Sequence, residues 1–378
     1  MIKRSYQYRL YPNKAQTEAL LRILEIHRQL YNAALQERRE AWRKCRVSIS
    51  YIDQANQIKE LRTFDEDAAW LNYTSIQQTL RRLDKAFCAF FRRSRMGEKP
   101  GYPRFKNRKR FRSVEYRFGD GAALRNGRLR VQNVGLVKIK LHRPIPPDAK
   151  IKAAVITRRG DGKWYATFQL KLPNPSPDPH SGMAVGIDLG VNPSLVALSN
   201  GETIDAPRFL RRSETRLAKA QRITSRRCKG SQRWHKGNRQ VAQLHRHIAN
   251  QRRDQAHKLS RRLTDTFSFI AVENLNITGM IKNHCLAKSI SDAGWSQLLQ
   301  FLAYKAESAG SQVVAVDPYN TSQVCSACGR LVPKDLSVRW HDCSHCGLSL
   351  DRDVNAARNI LNKALARTGP SVVASLVT

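Results

Sequence analysis

The chain has 378 residues, with 67 Lys or Arg against 30 Asp or Glu, a formal net charge of +37 and a pI near 10.6. Self-repulsion on this scale opposes compaction and exceeds what solubility requires, so the composition asks for a polyanionic counterpart, nucleic acid above all. No apolar run approaches the ~18 residues of a membrane span and the charged, alternating opening is not a secretory segment, which argues against a membrane or exported protein and for the cytoplasm.

Ile2, Arg4, Tyr6, Tyr8 and Leu10 alternate with polar neighbours, the period of a half-buried strand that Pro12 closes. Asn13 is placed to cap a helix, along which Leu20, Leu24, His27, Tyr31, Ala34 and Leu35 recur at helical spacing; His27 reads as packed core. A second amphipathic helix starts near Ser75, with Ile76, Leu80, Leu83, Phe87, Phe90 and Phe91 on one face. With the segment around Ile58 these helices predict a small bundle with a basic outer face. Arg92 to Arg112 holds ten Lys or Arg and one acid, Glu98, interleaved with Gly101, Tyr102, Pro103, Phe105 and Phe111. This is an irregular basic loop whose aromatics can stack on bases, and Arg104, Lys106, Arg108, Lys109 and Arg110 are its candidate nucleic-acid contacts. Short strands follow at Leu129 to Val131, Val137 to Leu141, Ile151 to Thr157 and Trp164 to Leu172, predicting an antiparallel barrel split in sequence by the helices.

Asn174 to Ser181 carries three prolines and reads as a linker. Beyond it, the buried-strand run Met183 to Leu189 delivers Asp188 ahead of Gly190, and a second strand is expected at Leu195 to Leu198. Phe267 to Val272 is another apolar strand, ending in Glu273; a helix is expected from about Ser291 to Ala309 and a strand at Gln312 to Val316. In the last helix Asp353, Ala357, Ile360 and Ala364 share an apolar face, whereas Asp351, Asn355, Arg358 and Asn362 share a polar one. Asp353 should therefore face the sheet and Asp351 cap the helix.

Two chemistries emerge. Asp188 and Glu273 on strand ends with Asp353 on a docked helix are what two-metal phosphodiester hydrolysis requires, with oxygen ligands suited to Mg²⁺ or Mn²⁺. Cys325, Cys328, Cys343 and Cys346 form C-x2-C-x14-C-x2-C, which can close a tetrahedral site on a structural Zn²⁺. His341 and His345 lie near enough to be alternative ligands, but four thiolates leave them unnecessary. Cys45, Cys88, Cys228 and Cys285 show no pairing logic, in keeping with a reducing compartment.

Gly186-Ile187-Asp188-Leu189-Gly190, Val272-Glu273-Asn274-Leu275, Ser289 to Trp295, the cysteine quartet and Asp351-Arg352-Asp353-Val354-Asn355-Ala356-Ala357 together resemble TnpB, a family of transposon-encoded, RNA-guided DNA endonucleases related to type V CRISPR effectors. Tyr8 to Pro12 and Gly101 to Phe105 extend the resemblance over nearly the whole chain. It implies an α+β multidomain chain: a wedge-like β-barrel over 1–12 and 99–173, a helical recognition lobe over 13–98, a linker over 174–182, a RuvC-like, RNase H-fold nuclease domain over 183–318 and 350–366, a zinc ribbon over 319–349, and a tail over 367–378. The resemblance further implies catalytic Asp188, Glu273 and Asp353, a guide RNA made from the transposon end, duplex DNA as target, and a short target-adjacent motif contacted by Tyr51, Tyr73 and Gln77; the copy number is left open by the sequence, with one protein per RNA the favoured expectation. Arg208 to Arg262, with 18 Lys or Arg against Glu214 and Asp254, reads as a helical hairpin bordering the guide–target duplex, with Arg226, Arg227 and Lys229 as contacts. The alternatives are an RNA-independent transposase using the same acids, and a nuclease-inactive RNA-guided binding protein.

Overall fold

The computed structural model describes residues 2–173, 183–335 and 337–368. The chain divides into two compact units, 1–174 and 175–378. The expected linker and the last ten residues of the expected tail lie outside the described residues.

In the first unit β1 (Ile2–Tyr11) leads into α1 (Lys14–Cys45), followed by α2 (Tyr51–Asn56), α3 (Ile58–Phe64), α4 (Glu66–Trp70) and α5 (Tyr73–Arg95). Asn13 caps α1 in a capping box with Gln16, its Oδ1 accepting the Gln16 N–H at 2.8 Å. Six strands follow: β2 (Ser113–Arg117), β3 (Ala122–Arg125), β4 (Arg128–Val131), β5 (Gly135–Lys140), β6 (Lys150–Arg158) and β7 (Trp164–Leu172). They build an antiparallel sheet in the order β2-β6-β7-β1-β5-β4-β3, with β1 at its centre. Its edges come together at a bridge between Phe118 and Ala122, so the sheet is a nearly closed barrel split in sequence by the helices. Barrel and helices share one core, in which Tyr8, Leu10, Tyr31, Leu83, Leu129 and Phe168 meet. His27 is packed there, fully buried between the hydroxyls of Ser75 and Thr79 at 3.2 and 2.8 Å, and burial pulls its imidazole down to about 3.

The second unit is built on a mixed sheet of order β10-β9-β8-β11-β12, from β8 (Met183–Leu189), β9 (Ser194–Leu198), β10 (Thr203–Asp205), β11 (Phe267–Glu273) and β12 (Gln312–Val316). The strands β8, β11 and β12 run parallel and β9 antiparallel to β8, the RNase H-like arrangement. A long hairpin, α6 (Phe209–Ser225) and α7 (Gln232–Thr266), leaves and re-enters the sheet between β10 and β11, as its composition predicts. The expected helix from Ser291 is two: α8 (Ile277–Met280) precedes α9 (His284–Ala293), which ends at Gly294 with φ 71, and α10 (Trp295–Ala309) starts anew. Leu263 of α7 and Leu298 and Leu302 of α10 cover one face of the sheet. A two-stranded ribbon, β13 (Trp340–Asp342) and β14 (Ser349–Asp351), runs without a break into α11 (Arg352–Thr368), whose Ile360 and Ala364 cover the other face. Gly186 allows that docking: a Cβ there would lie 1.9 Å from the Ala357 carbonyl oxygen.

Candidate active site and cysteine cluster

Parallel pairing of Ile187 with Val272 places Asp188 and Glu273 at the same end of neighbouring strands, and Glu273 pairs in turn with Val316. The first turn of α11 adds Asp353. Asp351 caps that helix as expected, its Oδ1 accepting the N–H groups of Asp353 and Val354 at 2.8 and 3.1 Å. The Asp188 carboxyl is pushed up to about 8, first by the protein packed around it, then by the charges of Glu273 and Asp353, against the opposing Arg352 charge and Leu189 N–H. As a residue, Asp188 is nevertheless only partly buried. Burial also raises Glu273, opposed by a 2.6 Å hydrogen bond from the Thr321 hydroxyl and by the charge of Lys363. Burial that disfavours the charged forms of Asp188 and Glu273 is what a bound cation would offset, and the all-oxygen donor set fits Mg²⁺ or Mn²⁺. Among the described residues, however, these acids do not converge as tightly as the cysteines do.

The four cysteine sulfurs all lie within 4.8 Å of one another, with Cys325 to Cys346 at 3.6 Å and Cys328 to Cys343 at 3.7 Å. These separations match the edges of a tetrahedron with ~2.3 Å Zn–S bonds. The two halves are equivalent knuckles: the Gly329 N–H reaches Cys325 O at 2.9 Å and the Gly347 N–H reaches Cys343 O at 2.8 Å, both glycines having positive φ. N–H groups of Cys346 and His345 hold the Cys343 thiol down to about 6. Although the Leu348 N–H lowers Cys346, burial and the other three sulfurs carry it up to about 12. Such thiols ionise together only around a cation. His341 is outside the cluster, fully buried with Nδ1 against Lys334 Nζ, and His345 is exposed.

Several residues that shape the site were not singled out from sequence. Asn355, assigned to the polar face of α11, is fully buried: its amide donates to Val324 O at 2.7 Å and accepts the Ser326 N–H at 2.9 Å, gripping both neighbours of Cys325. Asn359, one turn on, donates to Thr321 O and Val324 O at 2.8 and 2.6 Å. Arg352 lies 3.6 Å from Asp353 and donates to Val338 O at 2.9 Å, joining the acids to the loop before β13. Asp292, 5% exposed at its side chain, accepts Arg252 at 2.9 Å and the Leu210 N–H at 2.9 Å, tying α9, α7 and the start of α6 together. Paired asparagines one helical turn apart were the available signal for the first of these.

The candidate nucleic-acid residues fall in three places. Tyr73, Gln77 and Arg81 recur every fourth residue along α5, and Tyr51 joins that stripe, its hydroxyl accepting Arg81 Nε at 3.0 Å. On the basic loop Arg104, Arg108, Lys109 and Arg110 are exposed. Arg108 lies 3.2 Å from Glu25, and Asn32 clamps the Lys106 backbone at 2.8 and 3.0 Å. A groove of about 400 Å³ beside Arg104 is lined by Arg39, Tyr102 and Phe105, although Tyr102 also packs edge-on against Phe87 and Phe90. Arg226 and Lys229 are exposed at the tip of the α6–α7 hairpin, where Arg227 turns back to the Arg233 carbonyl.

Comparison with known proteins agrees with this geometry. Residues 167–284 match the OrfB family of IS605, described as "Probable transposase"; residues 295–360 match the Cas12f1-like TNB domain; residues 1–46 match an OrfB helix-turn-helix domain, although here they form one strand and one helix. A Streptomyces pristinaespiralis protein described as "Putative RNA-guided DNA endonuclease" is 38% identical over 370 residues, covering 97% of this chain and 90% of its own length. InsQ of Escherichia coli K12, given the same description, is 31% identical over 378 residues, covering 94% and 91%. In fold, the chain resembles Cas12f1 from its complex with sgRNA and target DNA, at TM-score 0.58 and 14% identity over 93% of this chain and 83% of that one. It also resembles the mini-RNA-guided endonuclease CRISPR-Cas phi3, at TM-score 0.50 and 11% identity over 96% and 92%. With relatives this similar along almost its whole length, the chain belongs to the OrfB/TnpB family of insertion-sequence proteins.

Proposed function

We propose that this protein is an RNA-guided, metal-dependent DNA endonuclease with Asp188, Glu273 and Asp353 as its catalytic acids. The observation that carries the reading is the gathering of three carboxylates at one end of an RNase H-like sheet, where burial first and then the charges of Glu273 and Asp353 push Asp188 up to about 8. Divalent cations bound there, ~4 Å apart, would supply an activated water and neutralise the leaving oxygen. The chain's own part is to present the ligands: Thr321 fixes the Glu273 carboxylate, Asp351 fixes the first turn of α11, and Arg352 balances charge beside Asp353. A Zn²⁺ in the four-cysteine ribbon has a folding role only, since four protein ligands leave no open position.

In this reading the barrel (1–12 and 99–173) and the helices (13–98) hold a guide RNA derived from the transposon end, and the Tyr51, Tyr73 and Gln77 stripe meets the target-adjacent motif. Arg104 to Arg110 and the hairpin tip at Arg226, Arg227 and Lys229 meet nucleic-acid backbone. Base pairing then supplies sequence choice while the protein holds shape and charge. The net charge of +37 supports a polyanionic partner, and we place the complex in the cytoplasm with one protein per RNA.

The test is to purify the protein with its RNA, sequence that RNA, and assay cutting of a matching plasmid in Mg²⁺ beside Asp188→Ala. Cutting should need the RNA and vanish in the variant; cutting retained by Asp188→Ala would defeat the site assignment. An RNA-independent transposase, the reading favoured by the family model's description, predicts activity that survives RNase.

A further inference from the structure

Tyr319 is 73% exposed on the loop that joins β12 to the cysteine array. It stands two residues from Thr321, whose hydroxyl is bonded to Glu273. An exposed ring on a loose loop would mean little, but this loop is tied at nearly every residue. The Tyr319 N–H donates to Asp317 Oδ1 at 3.1 Å, and Lys363 of α11 donates to the carbonyls of Asp317 and Tyr319. N–H groups of Gln323 and Val324 reach Asn320 O at 3.1 and 3.0 Å, and Asn359 holds Thr321 O at 2.8 Å. Asn320 itself takes a left-handed φ of 57, so the chain turns sharply just after the ring. The backbone is thus fixed, whereas among the described residues no ring or cation packs on the Tyr319 face.

A largely exposed aromatic side chain with little backbone freedom left to lose is a platform prepared for another planar group. Every nucleobase offers a π-face, so stacking tolerates any sequence. That suits a site whose sequence choice is made by base pairing elsewhere. Lys363, at the root of the same loop and felt by Glu273, adds positive charge where a phosphodiester backbone would pass.

We propose that Tyr319 stacks on a nucleobase of the single DNA strand that enters the acidic site, within a nucleotide or two of the scissile phosphate. The inference rests on the nuclease reading above and adds a substrate-binding residue to it.

The test uses the complete protein–RNA complex. In an Asp188→Ala background, 2-aminopurine is placed in turn at each position of the displaced, non-target strand. Emission should fall at one position near the cut, recover when Tyr319→Ala is added, and stay low with Tyr319→Phe, which keeps the ring. In the cutting-competent protein, Tyr319→Ala should slow single-turnover cleavage about tenfold, within the range one base–aromatic stack supplies, while Tyr319→Phe cuts normally. Both variants should melt like the parent because the ring is exposed. Wild-type cutting by Tyr319→Ala without position-specific quenching overturns the proposal, as does a Tyr319→Phe variant as slow as Tyr319→Ala, which would assign the effect to the hydroxyl. Cutting by Asp188→Ala would instead refute the assignment of the catalytic acids, and no cutting by the parent complex would refute the nuclease reading; either leaves the quenching experiment to decide Tyr319 by itself.

Discussion

Substituting Gly186 by Ala tests how the third carboxylate is positioned. The added methyl would lie 1.9 Å from the Ala357 carbonyl oxygen and 2.9 Å from both the nitrogen and Cβ of Leu361. Carbon and oxygen ordinarily approach to about 3.3 Å, so α11 would have to retreat from β8 by roughly 1.4 Å on the same distance scale. Every offending atom is backbone or Cβ, and no rotamer change can absorb the clash. Ala357 lies one turn from Asp353, so the retreat carries the carboxylate away from Asp188. Overpacking of this kind costs about 1–3 kcal/mol, and a ~1 Å misplacement at a reacting centre costs on the order of 100-fold in rate. Thermal melting and single-turnover plasmid cutting at saturating Mg²⁺ measure the two effects. Gly186→Ala should melt several degrees lower and cut about 100-fold more slowly. Wild-type cutting at a wild-type melting temperature would mean that α11 does not dock on β8 as described.

Asp188 is raised from 3.8 to about 8 in the folded, metal-free protein. Through that window the folded state keeps a proton the unfolded chain has released, so metal-free stability should fall as pH rises from about 4 to about 8. Asp188→Asn should flatten the fall and Mg²⁺ should offset it at the alkaline end; equal slopes for the two proteins in melting curves would remove the crowding argument. Asn355→Ala leaves the Ser326 N–H without its partner and the Val324 carbonyl with Asn359 alone, and should cost about 1–3 kcal/mol. It should also speed zinc loss to a chromogenic chelator, and unchanged release would show that the grip on Cys325 is immaterial. Stripping zinc should abolish cutting in a way that excess Mg²⁺ does not restore and added Zn²⁺ does, with metal analysis finding about one zinc per chain beforehand.

What the sequence disclosed depended on whether the cause was local. The Asn13 cap, the Asp351 cap of α11 and the paired Cys-x-x-Cys spacing are written within a few residues, and each appears in the structure as read. Asn355 was placed by helical phase on a polar face and Asn359 on neither face, yet both are buried, because the loop carrying Cys325 lies over them. Their environment comes from a segment about thirty residues earlier in the chain, which periodicity does not see. The short strands β2 and β3 escaped notice for a different reason. Val114 and Tyr116 do alternate inward, but the preceding basic run and the surrounding glycines mask so brief a pattern. In the same way the break at Gly294 was hidden inside an otherwise continuous helical period.

The position of the cysteine ribbon follows from what α11 must achieve. A helix held only by its apolar face can slide or roll on a sheet, and Asp353 sits in its first turn, where fraying is greatest. Three restraints oppose that freedom. Residue Asp351 is at once the last of β14 and the cap of α11, so ordering the ribbon orders the first turn directly. Asn355 and Asn359 tie the next two turns to the first knuckle, and Arg352 ties the start of the helix to the loop before β13. Close contact at Gly186 sets the depth of docking, and the ribbon sets rotation and register. Neither restraint substitutes for the other, and so a ribbon without metal should leave α11 on the sheet while Asp353 drifts out of line with Asp188 and Glu273.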